Sequence, residues 1–176
     1  MLISKVLPTQ IELKELFNYC PDSGVFTRLK SVSINTKNGD IAGNINMQGY
    51  RRISINRINY LSHRLAWLYT HGAWPESMID HINGIKDDNR ISNLREATRS
   101  QNYMNVSMQK NNTSGYKGVS FDKRHGKWQA VCGLNGKIKH IGYFDTAELA
   151  SLAYEAFAKI SFGEFYPSRL GVNHAR

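Results

Sequence analysis

Apolar residues recur at helical spacing over residues 11–17, where Leu13, Leu16 and Phe17 fall on one side. Pro21-Asp22-Ser23-Gly24 breaks that run as a turn, and residues 25–27 predict a short strand. Arg52-Ile53-Ser54-Ile55 alternates polar and apolar, the period of a half-buried strand, and residues 58–61 follow as another after a polar turn. Residues 63–69 predict a short helix that packs Leu65, Ala66, Leu68 and Tyr69 and ends at Gly72 and Pro75. A largely polar stretch occupies residues 78–94. Residues 93–98 read as a strand, and Ser100 then caps a helix carrying Asn102, Tyr103 and Met104. The run 109–115 has no apolar residue to anchor it and predicts a linker.

The last third has a different rhythm. Residues 116–121, 127–132 and 137–144 predict three strands, separated by His125-Gly126 and by Asn135-Gly136, a strong hairpin signal. Asp145 is expected to cap a long helix, with Glu148 completing a capping box. Ala147, Ala150, Ala153, Ala156 and Ala158 on that helix permit close approach to a sheet. The expected fold class is α+β. A first unit spans residues 1–108, a linker 109–114, a three-stranded antiparallel sheet packed on one helix 115–168, and a tail 169–176.

Composition narrows the partner. The chain has 176 residues, 41% hydrophobic and 21% charged, which suits one ordinary globular domain or two small ones. Its net charge is +9: residues 1–110 hold 14 basic and 9 acidic side chains, and residues 111–176 hold 9 and 5. Both parts can therefore face a polyanion, although a generic basic surface would show the same balance. Cys20 and Cys132 form no C-x-x-C pair, which argues against a structural zinc site and for reduced core thiols. Residues 1–5 are too short in apolar run for secretion, and no segment approaches a membrane span. The expected location is a cytoplasm, with no membrane partner.

The candidate chemistry lies at Asp80-His81. Negative charge makes a phosphodiester hard to attack, and its leaving oxygen is poor. A metal ion answers both problems. Magnesium takes hard oxygen ligands and keeps several waters, so the Asp80 carboxylate and the Asn102 amide oxygen can suffice. A neutral imidazole at His81 can activate water, and a strand sends Asp80 and His81 to opposite faces. An isolated Asp-His pair is more often a surface pair or a turn.

The ordered set is more specific. His63-Arg64-Leu65-Ala66, Asp80-His81-Ile82-Asn83-Gly84-Ile85-Lys86, Asp88-Asn89, Asn93-Leu94-Arg95, Thr98 and Asn102 resemble an HNH endonuclease of the ββα-metal class, in its phage and intron-encoded branch. The resemblance implies that Asp80 and Asn102 bind the metal, His81 is the general base and Asn93 holds the ββα loop. The third position is Asn102 rather than His, which favours Mg2+, or Mn2+, over zinc. His63 touches DNA, orients the site or caps its helix. Arg64, Arg95 and Arg99 are expected DNA contacts, with solvated salt bridges as the alternative for Arg95 and Arg99. Asp87 and Asp88 form a second metal site or, more simply, a capped or solvated turn. His71, His125 and His174 read as solvated.

A second ordered set runs from Ser114-Gly115-Tyr116-Lys117-Gly118-Val119 through Gly126-Lys127-Trp128-Gln129-Ala130 and Ile141-Gly142-Tyr143-Phe144 to Ala153-Tyr154. It resembles the APETALA2/ethylene-response-factor DNA-binding domain, whose sheet enters the major groove. The resemblance places contacts at Lys117, Gly118, Ser120, Val131, Gly133, His140, Tyr143 and Tyr154. Lys117, His140, Tyr143 and Tyr154 keep competent side chains. Lys123, Arg124, Lys127 and Lys139 add electrostatic attraction. Ser120 and Gly133 replace arginines of the plant domains. Trp128 and Phe144 are expected in the core.

The combined expectation, as the resemblances imply, is a homing-type or phage-encoded free-standing DNA endonuclease, monomer or homodimer. It cuts duplex DNA with a divalent metal and is targeted by its C-terminal module. The alternatives are a DNA-binding regulator with an inactive nuclease unit and an RNA-processing nuclease. The deep, narrow A-form major groove disfavours the latter.

Overall fold

The computed structural model describes residues 7–31, 36–105, 108 and 111–166. Residues 1–5, the tail 169–176 with His174, and Gln109 of the expected linker lie outside that set. The described chain is a mixed α+β structure with several small sheets and four α-helices among the described residues. It divides into two compact units, Met1–Glu96 and Ala97–Arg176.

In the first unit α1 (Gln10–Leu16) starts at Thr9, which exchanges hydrogen bonds with Glu12 in a capping box. The helix stops one residue before the expected Phe17. Phe17 opens β1 (Phe17–Cys20), whose inward Phe17 and Tyr19 alternate with exposed Asn18 and Cys20. β1 pairs antiparallel with β2 (Val25–Arg28) across the expected turn. Gly24 in that turn has φ +72, and a Cβ there would stand 2.4 Å from the backbone nitrogen of Arg90. Only glycine lets this hairpin lie so close to the Asn89–Arg90 backbone.

A three-stranded sheet follows, in the order β3 (Asn44–Ile45), β4 (Arg51–Ile55), β5 (Ile58–Leu61). Asn56 and Arg57 both take positive φ, the geometry of a tight I′ hairpin. Ile53, Ile55 and Tyr60 face inward. α2 (Ser62–His71) packs Leu65, Ala66 and Leu68 on them and ends at Gly72 in the left-handed conformation, as expected. Leu13, Phe26, Ile53 and Leu65 are fully buried, each stabilising the unit by about 1.5–3 kcal/mol. β6 (Met78–His81) and β7 (Leu94–Ala97) form the last two-stranded sheet, with a 3-10 turn at Ile91–Asn93 before β7.

In the second unit α3 (Arg99–Asn105) is capped by Thr98, not Ser100. The Thr98 hydroxyl accepts from Gln101 N–H while the Gln101 side chain accepts from Thr98 N–H. Ser100 lies inside the helix. Met104 is buried with the second unit's core, so α3 groups with the C-terminal compact unit. Residues 111–115, expected as linker, are tied in by hydrogen bonds: Asn112 Nδ2 donates to Tyr116 O, and Ser114 Oγ to Val119 O.

β8 (Val119–Asp122), β9 (Lys127–Leu134) and β10 (Lys137–Phe144) form an antiparallel sheet in the order β10-β9-β8. β8 begins later than expected because Gly118 takes φ +70 with the Tyr154 ring against it. Asn135-Gly136 makes the expected hairpin. α4 (Ala147–Phe162) covers one sheet face with Ala150, Tyr154 and Ala158. Its cap is Thr146, whose hydroxyl accepts from Leu149 N–H, rather than Asp145, which pairs with Lys127. Trp128 and Phe144 are half-buried and pack on that core.

Candidate active site

β6 carries Asp80 and His81 into the interior of the first unit, 2% and 5% exposed. Such burial of a carboxylate requires a partner. Arg95 on β7 supplies it: its Nε and Nη2 both reach Asp80 Oδ2, at 3.0 and 2.9 Å. His81 Nε2 lies 3.4 Å from Asn89 Oδ1. Burial lowers the imidazole pKa against the opposing pull of Asn89 and the nearby carboxylates. The ring is therefore neutral near physiological pH, the state a general base needs.

The loop from β6 to β7 is built by amide hydrogen bonds. Asn93 Oδ1 accepts from Asn83 N–H at 3.0 Å, and Asn93 Nδ2 donates to Asn83 Oδ1 at 3.1 Å and to Asp88 O at 2.8 Å. Three neighbours pin the loop from outside. Tyr19 donates to Asn89 O at 2.7 Å, Lys86 donates to Gln48 O at 2.9 Å, and Arg51 grips Asp87 through Nε and Nη2 at 2.9 and 2.8 Å. Asp88 is held by Arg90, which keeps its carboxyl well below the usual range. Asp87 and Asp88 are thus both ion-paired, to Arg51 and Arg90.

His63 does not cap α2 with its side chain. Its ring is 5% exposed and meets the His81 ring edge-on at 5.0 Å and Tyr50 at 5.4 Å, and its Nδ1 has no partner among the described residues. Burial, then the neighbouring His81 and Arg64, pushes its pKa down to about 3. Below the unfolded value of 6.5 the unfolded chain takes up a proton that the folded chain refuses, so stability falls with pH between 6.5 and about 3. For His63 alone the slope is about 1.4 kcal/mol per pH unit. His63→Phe is expected to flatten that slope in urea unfolding at graded pH. An unchanged slope would show that another group carries it.

The expected metal donors are one carboxylate and one amide. Asn102 stands half-buried on α3 in the second unit, its N–H bonded to Thr98 O at 2.9 Å. Among the described residues no three His, Cys, Asp or Glu side chains gather as a metal cage. A carboxylate and an amide each offer a hard oxygen, the donor type a divalent cation takes.

The expected DNA contacts separate into distinct groups. Arg64 is engaged within its own unit, donating to Ser77 O and Pro75 O at 3.1 Å each and lying over Trp74. Arg95 is committed to Asp80, a part-buried pair rather than a solvated one. Tyr154 is 4% exposed in the core with its hydroxyl 3.9 Å from Met104 Sδ, so it does not reach a phosphate from there. Lys117 Nζ donates to Tyr103 O and Met104 O at 2.7 and 2.9 Å, closing the end of α3, and burial lowers its pKa to about 8.

Register sorts the rest. Ser120 pairs with Gln129 and Gln129 with Tyr143, while His140 pairs with Val131, all on the face opposite buried Ala130 and Cys132. The Tyr143 and His140 rings meet at 4.6 Å there, tilted by 52°. Lys123 and Arg124 are exposed in the β8–β9 turn. Lys139 pairs with Cys132 and so leaves β10 on the helix side, away from the face its neighbours share. Arg99 is exposed at the start of α3.

One polar surface, with Arg52 on it, carries no strong motif. Asn44, Arg52, Ser54 and Asn59 are exposed on the outer face of the β3-β4-β5 sheet, in register with one another. The signal available for it is compositional: residues 41–75 contain no Asp or Glu, and Arg52 and Arg57 are exposed there while Arg51 and Arg64 are engaged with Asp87 and with backbone carbonyls.

A protein-family model described as HNH endonuclease matches residues 60–104, from β5 through most of α3. Protein 3.8 of Escherichia phage T7 is 32% identical over 93 residues, which cover 52% of this chain and 77% of that protein. No solved structure matches.

Proposed function

The chain belongs to the family of phage T7 Protein 3.8 and carries an HNH endonuclease domain at residues 60–104, and from that premise we propose that it is a homing-type endonuclease that hydrolyses phosphodiester bonds in duplex DNA with a divalent metal. The observation that supports this best is the pair on β6: a buried carboxylate beside a buried, neutral imidazole, with a pinned amide loop around them. His81 takes the proton from the attacking water. By the family motif Asp80 and Asn102 would hold the ion, Mg2+ or Mn2+, which would supply charge neutralisation at the scissile phosphate and its leaving oxygen. Arg95 orients the Asp80 carboxylate, and Asn93 keeps the loop in shape.

The C-terminal sheet and α4 act as an APETALA2/ethylene-response-factor-like module that reads duplex DNA through the outer face. Ser120, Gln129, His140 and Tyr143 offer hydrogen bonds to base edges, and Lys123 and Arg124 attract phosphates. The N-terminal sheet adds a contact through Arg52. Arg52→Ala is expected to lower the salt dependence of duplex binding by about one charge. A salt slope equal to wild type removes Arg52 from the contact set.

The test is incubation of supercoiled target-bearing plasmid with the protein and Mg2+. Relaxed or linear product that EDTA abolishes supports the proposal. Tight duplex binding without product under any divalent ion would assign the chain to a DNA-binding regulator instead, and preference for RNA in competition would reject the duplex-reading module.

A further inference from the structure

α4 is apolar on both sides. Its inner side, Ala150, Tyr154, Ala158 and Phe162, fills the C-terminal core. At 100° per residue the outer side, centred opposite, carries Leu149, Leu152, Ala153, Ala156 and Ile160. Leu149, Leu152 and Ile160 are 49%, 63% and 87% exposed. An ordinary surface helix places charge there, and apolar residues aligned over three turns of a helix mark an interaction surface.

We propose that this outer face of α4 joins two copies of the chain, helix against helix and antiparallel. The stripe is self-complementary: about a centre between Ala153 and Ala156, reversed copies set Leu149 level with the partner's Ile160 and Ala153 level with the partner's Ala156, with Leu152 along one edge. The charges agree. Glu148 lies at the N-terminal end and Lys159 near the C-terminal end of one flank, both exposed. A two-fold axis near the middle of the helix sets each Glu148 beside the partner's Lys159, whereas a parallel two-fold pair sends the charged flanks to opposite sides of the seam and forms neither contact. Antiparallel helix dipoles add to the same preference. The sheet face proposed to read DNA is the one α4 does not cover, so pairing leaves it open on both copies. A single strip of helix is a small interface, so the association is concentration-dependent. Its consequence for the proposed cleavage is two nuclease units in one particle.

The test is sedimentation equilibrium of the full chain without DNA, which does not depend on the nuclease reading. The expected result is a concentration-dependent shift from 20.0 kDa to twice that mass. Leu152→Glu with Ile160→Glu is expected to remain monomeric with unchanged far-UV circular dichroism, since both side chains are exposed. Glu148→Lys is expected to weaken the dimer, and Glu148→Lys with Lys159→Glu to restore it. A wild-type monomer throughout the series, or a dimer unaffected by the double glutamate variant, overturns the proposal. Failure of the charge swap to restore association overturns the antiparallel arrangement.

Discussion

His81→Ala is expected to reduce cleavage by about 10²–10⁴-fold, the usual worth of a positioned general base, with duplex affinity unchanged. The ring sits against His63, Tyr50 and Asn89, none of which is assigned to DNA binding. Its burial lowers the imidazole pKa, so the acid limb of the wild-type kcat/KM profile should fall below the ordinary imidazole value of 6.5. A structural role for His81 would give a different signature. His81→Gln would then keep activity by filling the same space, and the loss in His81→Ala would track a loss of thermal stability. Retention of wild-type cleavage in either variant, with metal present, removes His81 from the reaction.

Much of this site was legible along the chain because its parts are local. Asp80-His81 on a strand and the Asn83–Asn93 amides fall within a short segment, and the expected strand at β6, hairpin at Asn135-Gly136 and helix at α2 all form. What could not be read depends on distant partners. Arg51 meets Asp87, and Tyr19 meets Asn89, across long separations with no periodicity to announce them. β1 was hidden because Phe17 continues the helical spacing of Leu13, and only the Thr9 cap and the inward Tyr19 show where the helix ends and the strand starts. Both misplaced caps lie within two residues of a competing oxygen side chain, Ser100 beside Thr98 and Asp145 beside Thr146. A cap is decided by backbone angles, which residue type alone does not set. Tyr154 and Lys139 show the same limit for the module. Motif alignment marks a position as a contact, but register and burial decide which face it leaves from.

Asp80→Asn tests the other half of the site, and its two effects separate. The amide keeps the shape and loses the charge that would attract a cation. Binding of Mn2+ by titration calorimetry, in the absence of DNA, should therefore weaken strongly, and Mg2+-dependent cleavage should fall about as far as in His81→Ala. The same change removes the carboxylate from Arg95, which is only 16% exposed at its side chain. Breaking a buried pair by deleting one charge costs about 3–5 kcal/mol, because the guanidinium stays behind unneutralised. Asp80→Asn should accordingly melt well below wild type. The double variant Asp80→Asn with Arg95→Leu should recover most of that stability, since an apolar replacement of the whole pair carries no such penalty. It should recover none of the cleavage or metal binding. If the double variant regains activity along with stability, Asp80 serves only to neutralise Arg95 and another group must hold the ion.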